Sequence, residues 1–175
     1  GYGAESSYSS GPRKDSESIR VAALQSRHVP TCDGLKTDPF QNNFSMNDFI
    51  TSIERRVTWY EDLIRQAAIE NCQLVVLTED FTRLSLSMRY LDDTDIFSGG
   101  VEYQTPLVRE QFSAAARSHN LYIVACYFAL ESDTIYNVAD LFGPNGNLIG
   151  RYRKVHMPQY ELWQVTPGDT FPAFE

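Results

Sequence analysis

The stretch from Tyr136 to Asp169 reads YNVADLFGPNGNLIGRYRKVHMPQYELWQVTPGD, and together with QLVVLTEDF at Gln73–Phe81 it decides the fold. In the longer stretch, two apolar runs flank a Gly-Pro-Asn-Gly-Asn segment at residues 143–147. Because Asn-Gly between apolar runs is a strong hairpin signal, the pattern predicts two antiparallel strands. The shorter stretch contains a continuous apolar run, which is typical of a strand covered on both faces. The predicted strands span residues 73–78, 135–142 and 148–155.

Two helices are predicted before the hairpin. Apolar residues between Met46 and Ala67 recur at steps of three and four, which places them on one helical face. Ser45 followed by Asp48 resembles a capping box, and Asn71 is a plausible end for this helix. Thr105-Pro106 predicts the start of a second helix, which runs to about His119. Further strands are predicted from Ile19 (IRVAALQ) and at residues 121–129. Helices that alternate with strands indicate an α/β fold with a helix-covered sheet.

The length of 175 residues suits one domain. Residues 1–18 hold six Ser and three Gly and are predicted to be a flexible tail or linker. Residues 19–175 then form the domain. Within it, we expect loops at His28–Ser45 and Thr82–Val101, which carry charges of both signs and do not choose between acidic, basic and neutral substrates.

Composition excludes several classes of partner. The net charge of −8 disfavours nucleic acid and anionic membranes as partners. No apolar run reaches the roughly 20 residues that span a bilayer, and the N-terminus is not a signal peptide. Three cysteines favour a reducing compartment, so we expect a cytoplasmic protein. The sequence shows no phosphate-binding loop, and its histidines, His28, His119 and His156, do not make a metal-ligand set.

Glu79 follows the apolar run LVVLT directly, and the carboxyl ends of strands are where open α/β sheets place ligand sites. Beside apolar walls its pKa would be raised, so that it could exchange protons near neutral pH. The alternative, in which Glu79 caps the next turn or pairs with Arg83, is about equally well supported by position alone.

Two further charged residues follow the hairpin. Strand alternation places Lys154 on the face opposite Arg151 and Arg153, where its ammonium could stabilise an oxyanion. A cation in such a run is more often a solvated edge residue. Glu161 lies seven residues further on and could fix the lysine or orient a substrate, although a surface glutamate is the simpler interpretation.

In combination, these segments resemble the nitrilase superfamily, the carbon–nitrogen hydrolases. The similar elements are the opening strand IRVAALQ, the strand LVVLTEDF that ends in Glu, the segment YNVADLFGPNGNLIGRYRKVH, and a following Pro167-Gly168-Asp169. The resemblance covers roughly Ile19 to the end of the chain. It implies that residues 19–175 are the N-terminal part of a carbon–nitrogen hydrolase domain, a four-layer α-β-β-α sandwich that is incomplete in this chain.

The resemblance also implies a chemistry. Glu79 would be the general base, Lys154 would stabilise the tetrahedral intermediate, and Glu161 would be an auxiliary carboxylate. A cysteine thiolate would attack a small amide, carbamoyl or nitrile compound, with no metal or organic cofactor. A homo-oligomer or a completing chain segment is also implied.

The departure from the family pattern that decides activity concerns the nucleophile. It would follow the lysine by a few dozen residues, and the 21 residues after Lys154 hold no cysteine. Cys32, Cys72 and Cys126 do not match that position, so the cysteine would come from sequence beyond this chain. Without that cysteine, two alternatives remain: a non-catalytic scaffold with the same fold, or a module that binds a small molecule.

Overall fold

The architecture is one mixed sheet with two long helices, as seen in a computed structural model that describes residues 18–25, 45–85 and 94–174. In chain order the elements are β1 (Val21–Leu24), α1 (Met46–Ile69), β2 (Leu74–Leu77), α2 (Thr94–His119), β3 (Tyr122–Glu131), β4 (Thr134–Phe142) and β5 (Leu148–Arg153). The strands lie side by side in sequence order. The predicted alternation of helices and strands is confirmed.

The sheet has a parallel half and an antiparallel half. β1, β2 and β3 are parallel, with α1 and α2 in the two crossovers, whereas β3, β4 and β5 form an antiparallel meander. The predicted hairpin between β4 and β5 is confirmed: Gly143 N donates to Asn147 O at 2.9 Å, and Gly146 takes a positive φ of 82°. A tighter turn at Ser132-Asp133 joins β3 to β4.

The first helix follows its sequence pattern closely. Ser45 and Asp48 form a reciprocal capping box, and Asn71 takes a left-handed conformation just after the helix. Both features satisfy backbone groups that a helix end leaves without partners. The buried face holds Phe49, Ile53, Val57, Tyr60, Ile64 and Ala67.

The second helix corrects our prediction. It begins at Thr94 rather than at Thr105, so Pro106 lies inside it, and residues 94–101 are helical rather than part of a loop. A buried apolar stripe that includes Phe97, Val101, Val108 and Phe112 continues through the proline. Burial of this stripe outweighs the backbone hydrogen bond that a proline cannot donate, and Pro106 itself lies on the exposed side.

The core lies between the helices and one face of the sheet. Val75 and Leu77 of β2 are buried, whereas Leu74 and Val76 on the other face are half-buried. Cover on both faces of β2 was predicted, and the described residues provide full cover on one face only. No helix in the described parts of the chain is long and apolar enough to cross a bilayer. Residues 1–17 of the predicted tail and residues 28–44 of the predicted loop, including Cys32, lie outside the described residues.

Candidate active site

Glu79 is held at the carboxyl end of β2 by the turn that follows it. Asp80, buried and at a positive φ of 45°, accepts hydrogen bonds from the backbone of Leu84 (3.1 Å) and Ser85 (2.7 Å). Phe81 N donates to Cys126 O in β3 at 3.1 Å, and the Phe81 ring is fully buried. Asp80 thus caps the turn, which is one role that the sequence had left open for Glu79.

Lys154 follows the last residue of β5, and its backbone extends the strand ladder because Lys154 N donates to Asn137 O at 2.8 Å. Arg151 and Arg153 point to the other face, where they bond Asp140 and Glu131. Strand alternation therefore places Lys154 as predicted. Its side chain is 23% exposed, so it is not a solvated edge cation.

Glu161 lies in a turn between β5 and the end of the described chain. Its side chain is 3% exposed, and the turn is closed by hydrogen bonds from Gln164 N and Val165 N to Glu161 O. The simpler interpretation of Glu161 as a surface residue is wrong. The chain beyond β5 folds back onto the sheet, since Thr166 N donates to Ile135 O and Gly168 N to Lys154 O.

The three predicted site residues meet on the sheet face opposite the helices. Lys154 Nζ donates to Glu79 Oε1 at 2.5 Å, and lies 3.2 Å from Oε1 and 3.3 Å from Oε2 of Glu161. Beside them is a cavity of about 220 Å³. It is lined by Glu79, Cys126, Asn137, Val138, Ala139, Tyr152 and Lys154.

The charges of the site support one another. Burial acts to raise the pKa of Glu79, but hydrogen bonds from Lys154 and Asn137 and the charge of Lys154 outweigh it and hold the pKa below its ordinary value. Burial acts to lower the pKa of Lys154, and hydrogen bonds to Glu79 and Glu161 together with their charges raise it above the ordinary value. The raised pKa that we predicted for Glu79 is wrong, because the effect of burial is outweighed by the hydrogen bonds from Lys154 and Asn137 together with the charge of Lys154.

The two described cysteines lie in different surroundings, and those of Cys126 do not activate a thiol. Cys126 lines the cavity, but burial first, then the charges of Glu79 and Asp140, raise its pKa to about 11. Cys72 lies elsewhere, in a groove between α1 and β1. A thiolate is the nucleophilic form, and a raised pKa disfavours it.

Sequence reasoning missed one member of the site. Asn137 is 4% exposed, and its side-chain amide donates to Glu79 Oε1 at 3.0 Å and to Glu161 Oε2 at 3.3 Å. Its position in the sequence could have indicated it, because Asn137 is a polar residue inside an otherwise apolar strand. The predicted hairpin also pairs it with Lys154 on the neighbouring strand. In the described ranges, no group of three His, Cys, Asp or Glu residues is arranged to hold a metal ion.

Comparison with known proteins identifies the family of this chain. The sequence model of the Carbon-nitrogen hydrolase family matches residues 20–174, and the chain belongs to that family. It is 31% identical over 124 residues to a nitrilase from Pyrococcus abyssi, covering 71% of this chain and 46% of the relative. It is 28% identical over 137 residues to an omega-amidase from Homo sapiens, covering 72% of this chain and 47% of that relative. The chain thus spans about half the length of the curated relatives it matches.

Solved structures share the fold. A carbon-nitrogen hydrolase from Helicobacter pylori superposes with a TM-score of 0.65 at 22% identity, covering 86% of this chain and 45% of that one. A mutant of an amidase from Nesterenkonia sp., solved in complex with acrylamide, superposes with a TM-score of 0.64 at 17% identity. This match covers 93% of this chain and 53% of the amidase. The architecture is therefore that of a nitrilase-type α/β fold, as predicted, of which this chain forms about half.

Proposed function

We propose that this chain supplies the Glu–Lys–Glu part of the active site of a thiol-dependent hydrolase that cleaves a carbon–nitrogen bond in a small amide, carbamoyl or nitrile compound. One observation carries the proposal: Lys154 Nζ lies within hydrogen-bonding distance of both Glu79 and Glu161 beside the cavity. Strands from distant parts of the sequence converge there, which places reactive groups on a rigid support.

In the proposed reaction Glu79 and Lys154 act on the reacting atoms, and Glu161 is the auxiliary carboxylate that holds Lys154. Glu79 takes the proton of a cysteine thiol, and the thiolate attacks the carbonyl carbon of the amide. Lys154 faces the oxygen that gains negative charge in the tetrahedral intermediate. Glu79 returns its proton to the nitrogen as the carbon–nitrogen bond breaks, which releases ammonia or an amine. Water then hydrolyses the thioester to a carboxylic acid and regenerates the thiol.

The lowered pKa of Glu79 fits this sequence of steps. While Lys154 is bonded to Glu79, the carboxylate stays ionised and free to accept a proton. When negative charge develops on the substrate oxygen, the ammonium is drawn toward it and its hold on Glu79 weakens. The basicity of Glu79 then rises at the stage at which a proton must be held.

The nucleophilic cysteine is proposed to come from sequence beyond Glu175. The raised pKa of Cys126 and the distant groove around Cys72 support this assignment. Cysteine as the type of nucleophile is supported by a mutant of the Nesterenkonia amidase, in which acrylamide has added to the active-site cysteine. Nitrilase and omega-amidase relatives favour small nitriles and amides as the compounds to test first.

The test is release of ammonia or amine by the complete protein from a panel of simple amides, carbamoyl compounds and nitriles. We expect E79Q to lower turnover by about 10²–10⁴-fold, because a general base usually contributes a rate factor of this size. K154A is expected to lower kcat by about 10²–10³-fold, as for the loss of an oxyanion donor.

R153A is the matched control, because Arg153 is the adjacent cation on the opposite face of the strand and bonds Glu131. Its turnover should stay near that of the unmodified protein. Unchanged rates in E79Q and K154A would refute the proposal. Tight retention of an amide with no release of ammonia would instead favour a binding module.

A further inference from the structure

Asn137 occupies a central place among the charged groups of the cavity, although it carries no charge. It lies in β4, nearly buried, where the strand ladder pairs it with Phe128 of β3 on one side and brings the Lys154 backbone to it on the other. Its side chain contacts both carboxylates, and its carbonyl oxygen accepts Lys154 N at 2.8 Å. A single residue is therefore bonded to all three proposed site residues.

The hydrogen bonds close into a ring. Glu79 Oε1 accepts from Lys154 Nζ (2.5 Å) and from Asn137 Nδ2 (3.0 Å). Glu161 Oε2 accepts from the same two nitrogens, each at 3.3 Å. Donors and acceptors alternate around the four atoms, so neither carboxylate can move without breaking bonds to both the ammonium and the amide.

The second donor of the ring is neutral. Two carboxylates facing one ammonium leave a net negative charge, and like charges at this separation repel. The two N–H groups of an asparagine amide offer one donor to each carboxylate. Because both donors converge on Oε1 of Glu79, its Oε2 is left without a donor from the described residues.

We propose that Asn137 is a positioning residue that holds Glu79 and Glu161 at a fixed separation around Lys154 and leaves Oε2 of Glu79 as the oxygen that receives the proton. This inference rests on the proposed function and adds to it. Asn137 acts through the two carboxylates rather than on the substrate, so its removal should lower kcat more than it changes KM.

The experiment compares N137L and N137D in the complete protein. Leucine has a similar size and no donor, whereas aspartate keeps the shape and adds a third negative charge. Two quantities are measured in each variant. The first is the titration midpoint of the Glu79 carboxyl, followed by carbon NMR, in which the Glu79 signal is assigned by its absence in E79Q. The second is the acid limb of the plot of kcat/KM against pH. The acid limb and the Glu79 midpoint should both move to higher pH in N137L and further in N137D. The expected fall in kcat is about 10–10²-fold, the usual effect of misplacing a reactive group.

T105V is the matched control for a lost buried hydrogen bond. Thr105 is 6% exposed, and its hydroxyl accepts Leu130 N at 2.9 Å without touching either carboxylate. T105V should alter stability and leave both pH midpoints unchanged. If N137L does not fold, N137D supplies the same two readouts.

The two proposals can fail separately. If no compound in the panel is hydrolysed, the proposed function fails, and the Glu79 titration still decides the role of Asn137. If hydrolysis is found but the Glu79 midpoint and the acid limb stay fixed in both variants, the positioning role is overturned.

Discussion

Lys154 shows how one residue gains a defined role from its neighbours. An isolated lysine at a strand end is a mobile surface cation, but here two carboxylates hold its ammonium beside an apolar cavity. The same contacts keep Glu79 ionised although part of its surroundings is apolar. The chemistry of the site therefore resides in the set of contacts rather than in any one side chain.

Cys126 provides a test at the residue scale. Because its pKa is raised to about 11, the thiol is almost wholly protonated near neutral pH and is a poor nucleophile. C126A in the complete protein should therefore retain most of the turnover, whereas E79Q should lose about 10²–10⁴-fold. C72A is the matched control, since Cys72 lies away from the cavity. Complete loss of activity in C126A alone would identify Cys126 as the nucleophile.

At the scale of elements, the segment after β5 holds the strand end that carries Lys154. Gly168 N donates to Lys154 O at 2.8 Å. The segment around Gly168 and the end of β5 approach so closely that there is no room for a side chain at residue 168. A Cβ at Gly168 would overlap the carbonyl oxygen of Arg153 and come within 2.7 Å of the Arg153 Cβ. This contact gives a physical reason for glycine in the Pro-Gly-Asp sequence.

G168A should separate this segment from β5 and displace Lys154. We expect a loss of about 1–3 kcal/mol in the free energy of unfolding, as for other forced overlaps, together with a lower kcat. Urea unfolding and turnover of the complete protein measure the two effects. G99A is the matched control, because a Cβ there overlaps only the flexible end of the Met46 side chain, and alanine favours the helix. Equal stabilities of G168A and G99A would contradict this account.

Across the whole molecule, a second charged network ties together the antiparallel half of the sheet on the helix-facing side. Arg151 donates to Asp140 through Nε (2.5 Å) and Nη2 (2.6 Å) and to Glu131 at 2.9 Å, while Arg153 also donates to Glu131. The hydrogen bond from Arg153 is the main cause that holds the pKa of Glu131 below its ordinary value of 4.5. Burial opposes it, and Arg151 adds to it.

This network predicts the pH dependence of stability. A carboxyl whose folded pKa is depressed contributes stability that is fully present above pH 4.5 and is lost as pH falls through the lower folded value. The midpoint of urea unfolding should therefore decrease when pH falls from about 5 to about 3. In E131Q the decrease should be smaller, since glutamine has no proton to gain. Parallel pH profiles for the two proteins would contradict the assignment.

The chain spans about half the length of its relatives, and large apolar residues such as Trp163 and Phe171 are exposed in it. The boundary between a tail at 1–18 and a domain at 19–175 stays a prediction, although the family match begins at residue 20. A homo-oligomer or completing segment, a small-molecule substrate and a cytoplasmic location also stay predictions.

The sequence by itself determined the elements that local patterns encode. The first helix has a periodic apolar face and a capping box, and the hairpin after β4 has an Asn-Gly turn, so both were predictable from neighbouring residues. Glu79, Lys154 and Glu161 were also predictable as candidates, through their places at strand ends and the family resemblance. The Ser132-Asp133 turn lacks glycine and gave no such signal.

Only the tertiary structure decided the rest, because it depends on contacts between residues far apart in the chain. Packing of the apolar stripe carried the second helix through Pro106. Pairing with Lys154 lowered the pKa of Glu79, where its apolar surroundings alone would have raised it. Cross-strand register placed the Asn137 amide between two carboxylates, one 58 and the other 24 residues away in the chain. Periodicity and turn signals report on neighbours along the chain, whereas pKa values and hydrogen-bond rings report on neighbours in space.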